Sequence, residues 1–130
     1  MIKLTFLILV SLISFGCNAT NCVISEKSVF EQSKKYKSLV QIEITKNDAL
    51  LTVVLNAPRE IEGERLESVI LHKEISDDGD AVFSIPLRAT VEESKAVAWF
   101  NIDEKTANHT FLSLDYGEGC GTSIRYNISN

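Results

Sequence analysis

Methionine, histidine and proline are scarce in these 130 residues, and the shortages remove whole function classes. The one methionine is Met1, which excludes a methionine-rich copper site. The two histidines, His72 and His109, each stand alone in a strand-like segment with no second ligand at metal spacing, so no metal is expected. Basic residues are outnumbered by acidic ones, 13 to 18, the wrong balance for nucleic acid, whose binding rests on basic contacts to phosphate. No serine elbow, phosphate loop or dinucleotide fingerprint is present, and no cofactor is expected. Beyond residue 16 no apolar run approaches the roughly 20 residues that cross a bilayer. Nor is there an internal repeat or a low-complexity tract, so the chain after its leader reads as a single domain.

What is present starts at the N-terminus. Lys3 places one charge ahead of Leu4 to Gly16, a run with no charged side chain, and small and polar residues follow at once. That is the layout of a secretory signal peptide. The segment Ile13-Ser14-Phe15-Gly16-Cys17 resembles the lipobox of bacterial exported lipoproteins, in which a small residue precedes the cysteine that becomes the lipid-carrying first residue of the mature protein. The resemblance implies that residues 1–16 are the signal peptide, that Cys17 is diacylated on sulfur and capped on its amine, and, with Asn18 next, that the address is the outer membrane. Several acyl chains, at about 0.8 kcal/mol per buried methylene, would hold the protein to a bilayer essentially permanently. The competing reading is cleavage after Ala19, with Cys17 and Ala19 as the small residues of the site, which gives a soluble periplasmic or secreted protein.

Either route takes Cys17 out of thiol chemistry and leaves Cys22 and Cys120. In an oxidising compartment the two are expected to form a disulfide. It would close a loop of about 98 residues, worth up to about 4.7 kcal/mol if disulfides act through chain entropy. The alternatives are two unpaired thiols, or a nucleophilic Cys120, which needs a base in contact and a lowered pKa.

Residues 17–38 read as a polar lead-in or tether. Its Lys27, Lys34, Lys35 and Lys37 suit anionic headgroups or plain solvent, and a short helix begun at Ser25 is one possible form. From residue 39 to 130 the period becomes two. Val40, Ile42 and Ile44 alternate with polar neighbours, Lys46-Asn47-Asp48 supplies a turn, and Leu50 to Leu55 reads as a strand buried on both faces that ends at Pro58. Arg59 to Arg65 reads as a charged loop. Further strands are predicted at Leu66 to Ile75, Ala81 to Arg88, Ala96 to Ile102, His109 to Tyr116 and Thr122 to Ile128. Pro86 marks an edge or a change of sheet, and Asp78-Gly79 a hairpin turn. The acids around Gly79 are turn formers, because the calcium-loop register puts Ile85 where a bidentate glutamate belongs.

About seven short strands predict an all-β fold, an antiparallel β-sandwich of immunoglobulin-like kind, with a small β-barrel as the alternative. The Cys and Trp marks of true immunoglobulin domains are absent. Compartment and fold together favour a non-enzymatic, lipid-anchored envelope protein that binds an unknown protein partner through a sheet edge or through the loops Arg59 to Arg65 and Gly117 to Gly121. An inhibitor of a cell-wall hydrolase such as lysozyme is the alternative, since a small acidic domain suits a basic enzyme. An envelope hydrolase comes third and requires a cleft of mutually contacting titratable groups.

Overall fold

The computed structural model describes residues 24–74, 82–119 and 121–128. Cys17, Cys22 and Cys120, and with them the lipidation and the disulfide, lie outside those residues, as does the Asp78-Gly79 turn.

Ser25 starts a helix as its N-cap, its hydroxyl accepting from the Ser28 amide at 3.2 Å. Helix α1 (Glu26–Tyr36) carries Glu26 in its first turn and Lys34 and Lys35 in its last, the charge order that the macrodipole favours. A 3-10 turn (Lys37–Leu39) leads to β1 (Gln41–Asn47), which pairs with β2 (Leu50–Pro58) around Asp48 at φ 54°. Next come β3 (Glu60–Ile61), β4 (Glu64–Lys73), β5 (Phe83–Pro86), β6 (Thr90–Glu92) and β7 (Lys95–Asp103). Asp103 caps a single helical turn, α2 (Glu104–Ala107), and β8 (Thr110–Tyr116) and β9 (Thr122–Asn127) follow.

The strands form two open antiparallel sheets, one ordered β1-β2-β7-β6 and the other β3-β4-β8-β9, with β5 on β4. With the two-residue β3 set aside, this is the immunoglobulin-like order, ABED facing CFG plus one added strand beside C. Neither sheet closes, so the barrel alternative is excluded.

Nine strands are found among the described residues where about seven were predicted. The two additions, β3 and β6, are too short to show a period. The expected loop from Arg59 to Arg65 is instead the β3–β4 hairpin. It turns on Glu62 and Gly63, at φ 50° and 83°, both positive as a two-residue turn of this kind requires. Both readings of Pro86 hold: β5 is an edge strand, and by Thr90 the chain has crossed into the other sheet. β2 corrects a further expectation, burying Val53, Leu55 and Ala57 while the residues between them face outward and are only half-buried.

The core lies between the sheets, where Val53, Leu55, Ala98 and Ile102 meet Val69, Leu71, Leu112, Leu114, Tyr116 and Ile124. The Tyr116 hydroxyl donates to the Pro58 carbonyl at 2.8 Å, joining the sheets at one end, and burial pushes its pKa up. Lys73 takes an inward position at the other end and donates to the Thr106 carbonyl at 3.1 Å. Helix α1 covers the edge of β9. Gln32 Oε1 accepts from the Ser123 amide at 2.8 Å, and Ser33 Oγ accepts from the Arg125 amide at 2.9 Å. Val29 and Tyr36 are buried beneath it, so the described helix of the segment read as a lead-in, from residue 26 to 36, is packed against the sandwich.

Leu112 has no exposed surface. Leu112→Ala is expected to cost about 3 kcal/mol, read as a lower urea midpoint at unchanged slope.

Candidate interaction face

Alternation along β2 and β7 sends every second side chain of the first sheet away from the core. On that outer face Trp99, in a central strand, is 68% exposed. Register places it opposite Val54, and Glu43 of β1 lies beyond Val54 in the same row. Val97 lies on the same face two residues along β7, and Asn56 and Thr90 flank it. In the row on the other side of Trp99, the Thr52 hydroxyl donates to Asn101 Oδ1 at 2.8 Å, which fixes that amide beside the indole. The result is an apolar centre of Trp99, Val54 and Val97 inside a polar rim, the anatomy of a recognition patch.

The indole matters because of its size. A tryptophan buries roughly 150–250 Å² when covered, so covering the exposed two-thirds of Trp99 would contribute about 3 kcal/mol. Leaving it in water gives the isolated fold nothing.

The outer face of the second sheet is filled from within. The Arg125 guanidinium pairs with both Glu26 oxygens, at 2.9 and 3.0 Å, and stands 4.8 Å from the Phe111 ring centre. Phe111 stacks on His72 at 4.9 Å, and His72 Nδ1 lies 2.8 Å from Ser84 Oγ. This ladder crosses α1, β9, β8, β4 and β5. Beside it Asp115 accepts from the hydroxyls of Ser68, Ser113 and Ser123 at 3.0, 3.1 and 2.8 Å. Register puts His72 two rows from Asp115, roughly 13 Å along the strands, so that imidazole is not in contact with the serine–carboxylate cluster.

The loops singled out in the sequence meet at one end of the sandwich. Arg59 and Arg65 border a cleft of about 700 Å³ with Glu60, Glu93 and Lys95, a wall of mixed charge. Backbone bonds from the Arg59 amide to Ser94 and from the Gly117 amide to Arg65 tie the β3–β4 hairpin to both neighbouring turns, and the Leu66 amide bonds to Arg59 at the hairpin's own base. His109, at φ 60°, borders a separate depression of about 470 Å³ with Arg125 and Asn127. Among the described residues no three His, Cys, Asp or Glu side chains converge as metal ligands would.

Comparison with known proteins adds no relative: no protein family, no curated protein and no solved structure matches the chain. Trp99 is the residue that sequence reasoning passed over. It was placed in a strand without a face, yet the parity was readable, because Ala96, Ala98 and Ile102 share one side of β7 and leave Trp99 on the other.

Burial and the Arg125 charge hold the His72 imidazole below its ordinary range, against a smaller pull upward from Asp115. The unfolded chain therefore takes up a proton near pH 6.5 that the folded chain refuses. The His72 contribution is intact above that pH and is lost as pH falls below it. Urea midpoints at pH 7.5 and 5.5 are expected to differ less for His72→Phe than for wild type.

Proposed function

We propose that the chain is a non-enzymatic protein-interaction module of the bacterial envelope that binds a protein partner through the outer face of the β1-β2-β7-β6 sheet. The observation that carries this reading is Trp99, two-thirds exposed in a central strand and ringed by Val54, Val97 and hydrogen-bonding side chains. Tryptophan is one of the residues enriched at binding hot spots, which cluster near the centre of an interface inside a ring that excludes water. Among the described residues the second sheet offers no comparable centre, because its aromatic and charged groups are spent on one another.

The leader completes the reading. With Cys17 lipidated, only residues 18–23 separate the anchor from Ile24 at the start of the described domain, and a chain of that length spans no more than roughly 25 Å. The module would then work close to the bilayer, on partners that are themselves in or beside the envelope.

Two outcomes test these parts separately. A photo-crosslinking side chain at Val97 is expected to join the protein to a discrete partner in its native envelope, and Trp99→Ala to abolish that product. The same probe at Ser68, on the other sheet, should give none. Being exposed, Trp99 can be truncated within about 0.5 kcal/mol of wild-type stability, so a loss reports binding rather than folding. A Val97 product that survives Trp99→Ala overturns the assignment. For the anchor, metabolic labelling with a radioactive fatty acid is expected to mark the wild type and not Cys17→Ser.

A further inference from the structure

Every open sheet ends in strands whose outer amides and carbonyls lack a ladder partner, and folded proteins blunt those edges. Here β9 is covered by α1, with the Ser123 and Arg125 amides bonded to Gln32 and Ser33. The opposite side of that sheet ends in two short strands, β3 of two residues and β5 of four, the latter closed by Pro86. β6 has three residues. β1 is different. It runs for seven residues in unbroken register with β2, contains neither proline nor glycine, and has no second strand beside it among the described residues.

The hairpin phase shows which groups face the open side. Asp48 and Ala49 form a two-residue turn, so Asn47 and Leu50 exchange hydrogen bonds, and Thr45, Glu43 and Gln41 follow in the same phase. Ile42, Ile44 and Lys46 therefore present their N–H and C=O groups outward. Ile44 also keeps 43% of its surface exposed although its side chain points toward the core layer.

We propose that the β1 edge takes an extended segment of a partner protein, added antiparallel as a fifth strand of the first sheet. A folded second copy does not fit. Helix α1 is tied to β9 and joined to β1 through residues 37–40, so it stands on the β1 side. There its width of about 10 Å fills the layer that a second copy's β9 sheet would have to enter if two β1 strands paired. A single strand needs no such room. The segment that fits carries a β-branched apolar residue opposite Ile44 and a basic residue opposite Glu43, in keeping with a chain whose net charge is −5. This specifies how the interaction module holds its partner and rests on that reading: an added strand widens the outer face that carries Trp99.

The probe is a seven-residue peptide alternating valine and lysine with blocked ends, added to the folded protein. Hydrogen exchange is expected to slow at the amides of Ile42, Ile44 and Lys46 and to stay unchanged at Glu43 and Thr45, whose amides already bond to β2. Ile44→Pro removes only an outward amide, a place where an edge strand tolerates proline, and should weaken binding by about tenfold or more, the equivalent of one backbone hydrogen bond. Methylating the valine amides of the peptide, the set that faces β1 in this register, should abolish binding to the wild type, a test that does not depend on how Ile44→Pro folds. The proposal is overturned by unaltered exchange at Ile42, Ile44 and Lys46 with about 1 mM peptide, the weak end of useful affinity, or by equal binding of the methylated peptide. Trp99→Ala should leave peptide binding intact while removing the Val97 crosslink, so failure of the edge and failure of the face give different patterns.

Discussion

Two open sheets packed face to face must account for every edge as well as for the core, and that constraint shapes this molecule more than any single contact. A buried amide without a partner costs on the order of 1–3 kcal/mol, and an exposed one invites another strand. The chain answers with a helix that is itself marginal, eleven residues long, below the length at which isolated helices hold in water. α1 persists because Gln32 and Ser33 meet the β9 amides, Glu26 meets Arg125, and Val29 and Tyr36 enter the core. Helix and edge stabilise each other.

The two outer faces then diverge. On the second sheet, Arg125, Phe111, His72 and Ser84 form one continuous chain of contacts, and three hydroxyls converge on Asp115. On that face the polar and aromatic groups meet one another. On the first sheet the corresponding centre is an indole facing water, next to the longest unblunted edge among the described strands. A protein gains nothing from exposing tryptophan in isolation, so the asymmetry between the faces is what gives the molecule a direction.

Much of this was legible because strands write a period of two. The strand predicted at His109 to Tyr116 holds Leu112, Leu114 and Tyr116 at every second position and all three are buried, whereas the turn expected at Lys46-Asn47-Asp48 lies at Asp48 and Ala49, with Lys46 and Asn47 paired in β1. The misses share a cause. β3 and β6 are too short for a period, and the turn between β3 and β4 uses Glu62 where asparagine or aspartate would have signalled it. The apolar run in β2 looked buried on both sides, since a half-buried Val54 and a buried Val53 are the same letter.

The amino-acid order by itself determined that the chain is β-rich, that its strands are short and antiparallel, and which side of most of them is apolar. These follow from alternation and turn chemistry, which act over a few residues. Only the tertiary structure decided that α1 closes the β9 edge while β1 has no second strand beside it among the described residues, and that Arg125, Phe111 and His72 stack on one face while Trp99 stands exposed on the other. Those outcomes depend on residues such as Ser33 and Arg125, 92 positions apart, arriving side by side, and no local pattern carries that information.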